Sequence, residues 1–120
     1  ADQGDVCRVR LNRGSVATEI HRREPRGTEG PFLANGQPIY IFVDVHNSTG
    51  VAQPLTIYWQ QTDTGYSFLQ TMEAGAGSRW RTWTEQPLAL EQIGPWTVRL
   101  LDEDRCLVEE LRFELQAPSW

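Results

Sequence analysis

The sequence contains no lysine: its eleven basic residues are all arginine, set against sixteen acids, for a formal net charge of −5. That sign repels nucleic acid and anionic lipid, so neither is an expected partner. Codon usage in a GC-rich genome gives all-arginine chains, and selection for bidentate ion pairs is the other reading. Cysteine is scarce as well, with only Cys7 and Cys106 present. Without a CxxC pair or a Cys/His cluster, no zinc site of the usual kind can form. No stretch of eighteen apolar residues occurs, so no helix could cross a membrane, and no signal-like segment is seen.

Catalytic signatures are missing too. No Gly-x-Ser-x-Gly turn occurs. Asp44, His46 and Ser48 follow one another too closely to place an acid behind an imidazole and a serine in front of it. His21 and His46 lie in different segments, and a metal site there would need further ligands, for which Asp44, Glu19 or Glu24 are the candidates; ordinary surface histidines are the expectation, with no metal. The acidic run Asp102-Glu103-Asp104 with Glu109 and Glu110 resembles a calcium loop only in charge. Leu107 stands where an EF-hand loop needs glycine, so the run reads as solvated carboxylates at a hairpin tip. Asn47-Ser48-Thr49 fits a glycosylation acceptor but reads as a plain turn. The expectation is a protein with no cofactor and no enzymatic activity.

What the sequence does contain is period-two patterning with frequent turn residues. At 120 residues the chain fits one domain with one real core. Cys7, Val9 and Leu11 alternate with arginines, followed by a turn at residues 12–15 and a second strand from Val16 to Arg23. Residues 26–38 read as a loop. Ile39–Val45 is apolar on both parities except Asp44, as in a central strand. Leu55, Ile57 and Trp59 alternate with Thr56, Tyr58 and Gln60, and residues 62–65 form a hairpin turn into Tyr66–Met72. Residues 74–77 turn again ahead of Trp80 and Trp83. Glu85–Ile93 holds at most a turn or two of helix. Trp96, Val98 and Leu100 share one face of the next strand, and Leu107, Leu111, Phe113 and Leu115 share one face of the last.

These features predict an all-β fold, an antiparallel, immunoglobulin-like β-sandwich of seven or eight strands. Residues 6–116 form the domain, between a polar tail at 1–5 and a short tail at 117–120. The polar start, Ala1 to Asp5, reads as a processed end from which an anchor or another domain has been removed. The two ends are complementary in charge: six arginines lie within residues 6–26 and six acids within 102–114. We therefore expect the first and last strands to lie close together and Cys7 to form a disulfide with Cys106, as an oxidising compartment would allow.

Several of these segments resemble a known bacterial family. They are Arg22-Arg23-Glu24-Pro25, Ile39-Tyr40-Ile41-Phe42, Trp59 before its turn, Trp80-Arg81-Thr82-Trp83, Gly94-Pro95-Trp96-Thr97-Val98 and Phe113. The family is the domain of unknown function 2914, and the resemblance runs from about Val16 to Leu115. Where its members often carry histidine before the central tryptophan, this chain has Tyr58. Where they often carry glycine in the last hairpin, it has Asp104-Arg105-Cys106. The resemblance implies a periplasmic or otherwise extracytoplasmic location, as the soluble domain of a membrane-anchored envelope protein. It carries over no catalytic activity.

Five tryptophans are many for this length. Trp59 and Trp96 are expected in the core. Trp80 and Trp83 have opposite parity, so a regular strand cannot bury both, and Trp83 is the candidate for exposure. Trp83 and Arg81, with Tyr58 and Tyr66 as neighbours across a hairpin, form the expected binding surface. The leading expectation is a module that binds a protein partner or supports envelope assembly. A carbohydrate-binding module that stacks a glycan on exposed aromatics is the alternative.

Overall fold

A computed structural model describes residues 7–118. The proposed tail at 1–5 and the last two residues lie outside them. Ten strands follow in order: β1 (Arg10–Ala17), β2 (Glu19–His21), β3 (Glu24–Arg26), β4 (Phe32–Leu33), β5 (Pro38–Asn47), β6 (Gln53–Gln61), β7 (Ser67–Ala74), β8 (Gly77–Pro87), β9 (Gly94–Leu101) and β10 (Leu107–Gln116). A single 3-10 turn, Leu90–Gln92, is the only helical element among the described residues. The expected β-sandwich is present. One layer has the order β1-β5-β8, the other β4-β10-β9-β6-β7, and β2 pairs with β3 as a separate hairpin. Every pairing is antiparallel except the two-residue contact of β4 with β10.

Alternation explains the core. Leu55, Ile57 and Trp59 of β6, Trp96, Val98 and Leu100 of β9, and Phe113 and Leu115 of β10 all face inward and are buried. Across from them lie Ile39, Ile41, Val43 and Val45 of β5. The aromatics pack as one cluster. The Trp59 and Trp96 rings meet edge to face at 6.3 Å, Phe68 stacks on Trp59 at 5.3 Å, and Phe113 stacks on Trp96 at 6.3 Å. Burying a tryptophan side chain contributes about 4–6 kcal/mol of transfer free energy. Both indoles keep a partner, as buried N–H groups must: Trp59 Nε1 donates to Gln70 Oε1 at 2.8 Å and Trp96 Nε1 to the Gln92 carbonyl at 2.8 Å.

Three local expectations are corrected. Residues 12–15 are no turn: β1 runs through them with a bulge between Leu11 and Arg13, because an extra residue in one strand kinks it without ending it. The expected second strand, Val16–Arg23, is instead divided between the end of β1 and the β2–β3 hairpin, which turns at Arg22 and Arg23. Second, Leu107 does not share the inward face of β10. A register shift between Leu107 and Glu109 reverses the parity, leaving Leu107 exposed and packing Val108 against the core. Third, β7 and β8 do not pair as a hairpin: the turn at residues 75–76 carries the chain from one sheet to the other. Trp80 lies over that turn, so close to Gly75 that a Cβ there would meet its ring at 2.6 Å.

Candidate functional site

The ends of the chain meet as the charge pattern suggested. Cys7, just ahead of β1, is disulfide-bonded to Cys106 in the β9–β10 turn, with Cα atoms 5.4 Å apart. The joint ties the two sheets along one side. Asp102 organises it. Its buried carboxylate accepts the Arg8 amide at 2.8 Å, the Asp104 amide at 2.8 Å and the Cys106 amide at 2.9 Å. Arg8 continues the seam outward, with Nε 2.8 Å from Asp104 Oδ2. That hydrogen bond, then the partner's charge, raises the Arg8 pKa, and the same contact lowers that of Asp104.

The acidic run is therefore not uniformly solvated. Asp102 is a turn cap, and its signal in the sequence was an aspartate two residues before Asp104, the spacing of an Asx turn. Arg105 takes a φ of +66° in this turn, a conformation that glycine adopts freely and arginine only under local constraint. Cys7, Asp102 and Cys106 are the one group of potential metal ligands brought together among the described residues. Both sulfurs are spent in the disulfide and the carboxylate is filled by amides.

The outer face of the three-stranded sheet carries a second polar assembly. Phe42 and Asp44 point away from the core yet are wholly buried. The Arg13 guanidinium lies 5.1 Å from the Phe42 ring centre. Glu24 of the β2–β3 hairpin reaches across the face to Arg13 at 2.9 Å and Arg81 at 2.6 Å. Asn12, freed by the β1 bulge, donates to Asp44 Oδ1 at 3.2 Å and to the Ser78 carbonyl at 3.0 Å, while Arg79 Nη2 sits 3.1 Å from Asp44 Oδ2. Burial opposes ionisation of Asp44. The hydrogen bonds from Asn12 and Arg79, with the charges of Arg79 and Arg81, outweigh it and hold the carboxyl below its ordinary value. The hairpin turns on Arg22 and Arg23, with φ of +53° and +64°. Two successive residues at positive φ fit the twist of a tight hairpin, and here they present two arginines to solvent.

Trp83 faces outward on β8, opposite Phe42, with its surface 36% exposed. Arg81 lies beside it, committed to Glu24. Tyr58 and Tyr66 are elsewhere. Tyr58 faces outward from β6 in the other sheet, and Tyr66, in the β6–β7 turn, meets the Trp96 ring edge to face at 6.3 Å. The four residues form no single surface, because the chain changes sheets between β7 and β8. His21, on the hairpin, and His46, near the end of β5, belong to separate elements. Asn47, the glycosylation-like residue, is buried and structural. Its amide donates to the Val51 and Ala74 carbonyls at 2.8 and 2.9 Å, and its oxygen accepts the Thr49 amide at 3.0 Å.

Fold and site together define an immunoglobulin-like β-sandwich. An immunoglobulin-like protein from Pseudomonas aeruginosa has a similar structure, with a TM-score of 0.56 and 15% identity over 89% of this chain and 95% of that one. The Pseudomonas fluorescens alkylpurine DNA glycosylase AlkC, solved bound to DNA containing an abasic site analog, is similar at a TM-score of 0.59 and 15% identity. That match covers 92% of this chain but spans only 31% of the glycosylase, and at this identity both likenesses concern the fold alone. No curated protein matches the sequence. The profile of the family described as protein of unknown function (DUF2914) matches residues 52–115, more than half of the chain. The chain belongs to that family.

Proposed function

We propose that this domain is a non-catalytic interaction module of the bacterial envelope, held outside the cytoplasm on a membrane-anchored protein. The observation that carries the reading is the Cys7–Cys106 joint, since disulfides persist in oxidising compartments. The polar groups support it as well. Asp44, Asp102 and Glu24 are each committed to amides or guanidiniums that build the fold, and none is poised toward an open cleft. The partner is a protein that meets the outer face of the three-stranded sheet, where Trp83 and the arginines of β8 and the hairpin stand.

The test is cross-linking of the full-length protein in its native envelope, followed by capture and mass spectrometry, together with alkylation of thiols in intact cells. The reading expects blocked cysteines and a specific protein lost with Trp83→Ala. Freely alkylated Cys7 and Cys106 with no saturable partner would overturn it. The exposed ring of Trp83 favours a second reading, a carbohydrate-binding module. Saturable binding on a glycan array, lost with Trp83→Ala, would select it.

A further inference from the structure

We propose that the outer face of the three-stranded sheet takes an acidic polypeptide segment, with carboxylates against the arginines of the hairpin tip and an apolar side chain against Trp83. This gives the chemistry of the partner, and it rests on the reading of that face as the interaction surface.

Charge is divided unequally between the two sides of the molecule. Arg10 and Arg13 of β1 and Arg79 and Arg81 of β8 lie on this face. The hairpin laid over it adds Arg22, Arg23 and Arg26. Four acids stand among them: Glu19, Glu24, Asp44 and Glu85. The face therefore holds three more arginines than acids. The rest of the chain holds four arginines against twelve acids, so the net charge of −5 conceals a positive side. An approaching partner is steered by the local potential rather than by the sum.

The positive charge is also the part left over. Glu24 is held between Arg13 and Arg81, Asp44 by Asn12 and Arg79, and Glu85 by a hydrogen bond with Tyr40. By contrast, Arg10, Arg22, Arg23 and Arg26 are exposed and enter no ion pair among the described residues. Arg22 and Arg23 occupy the left-handed backbone region, with φ of +53° and +64°. A turn of this kind is made most readily with asparagine and glycine. Here it carries two neighbouring guanidiniums instead.

The surroundings of that tip favour a polypeptide over other anions. Arg81 Nη1 lies 3.4 Å from the Arg23 carbonyl, and Arg81 stands two residues from the exposed Trp83 on the same face of β8. One side chain thus bridges the tip and the indole. A polymer or surface charged at every unit would also set anions against Trp83 and Glu85. A polypeptide varies along its length, so carboxylates can meet the tip while a ring or aliphatic group meets Trp83.

Titration of the purified domain with a random copolymer of glutamate and tyrosine tests this, beside polyglutamate, duplex DNA and vesicles of anionic phospholipid. Saturable binding of the copolymer is expected, several-fold tighter than that of the other three and weaker as salt rises. Arg22→Asn with Arg23→Asn removes two charges with a residue that accepts the left-handed backbone. It should raise the dissociation constant about five- to tenfold. Arg105→Asn with Arg112→Asn removes the same charge elsewhere, again with one residue at positive φ, and should leave binding unchanged. Absence of copolymer binding at low salt overturns the inference. So does equal or tighter binding of polyglutamate, DNA or vesicles, or an equal loss in the two double variants. An envelope protein captured by the wild type, lost with Trp83→Ala but kept by Arg22→Asn with Arg23→Asn, would also overturn it and leave the proposed function standing.

Discussion

The two sides of the sandwich are closed in different ways. Along one, β1 and β10 come together under a covalent bond, a buried carboxylate and an ion pair. Along the other, β7 and β8 meet through one glutamine. Gln70 accepts from Trp59 Nε1 at 2.8 Å and Thr84 Oγ1 at 2.9 Å while donating to Glu85. The first side is locked across the sheets by a covalent bond, and the second is joined by a side chain that occupies the Glu85 carbonyl on the outer edge of β8. The same two layers are thus held together by a covalent joint on one side and by side-chain hydrogen bonds on the other.

Breaking the locked side should have the largest effect. Cys7→Ala with Cys106→Ala opens a closed loop with a sequence separation of 99, and the chain-entropy argument gives a loss of about 4–5 kcal/mol. Urea denaturation of the double variant checks this, and an unchanged midpoint would mean that the bond constrains little. Asp102→Ala comes next. It strands three amides beside the disulfide and should cost about 3 kcal/mol. Asp102→Asn, which keeps one oxygen, should lose less.

On the open side, Gln70→Ala removes the partner of a buried indole and should cost about 2 kcal/mol. Near-ultraviolet circular dichroism should report the disturbance at Trp59. The smallest effect concerns pH. Asp44 has a folded-state pKa below its ordinary value, so its contribution is complete above the ordinary aspartate pKa and is lost as pH falls through the lower folded value. The stability difference between the wild type and Asp44→Asn should be constant near neutrality and shrink in strong acid. A difference that grew on acidification would reverse the sign of the linkage.

Much of the locked side was legible in the sequence. The charge asymmetry of the two ends and the lone cysteine pair pointed to it, and period-two patterning placed Trp59 and Trp96 inside. Asp102 was not recognised, because a capping aspartate and a solvated one differ only in the backbone amides around them, which no composition records. The open side was harder to read. Spacing alone made Tyr58, Tyr66 and Trp83 look like neighbours, but whether a Gly-rich turn forms a hairpin or crosses between sheets depends on which edge captures the next strand. The burial of Phe42 and Asp44 on an outward face was equally hidden, since Arg13 lies over Phe42 while Asn12 and Arg79 close on Asp44, and strand spacing alone reveals none of these contacts.

The contrast between the sides is most directly tested by residue-level amide hydrogen exchange. The amides of Arg8, Asp104 and Cys106, each held by the buried Asp102 carboxylate, should be strongly protected. Those of Arg81 and Trp83, on the outer edge of β8 like the Glu85 carbonyl, should exchange at close to the rate of an unstructured chain. Equal protection on the two sides, or faster exchange around Asp102, would contradict the account.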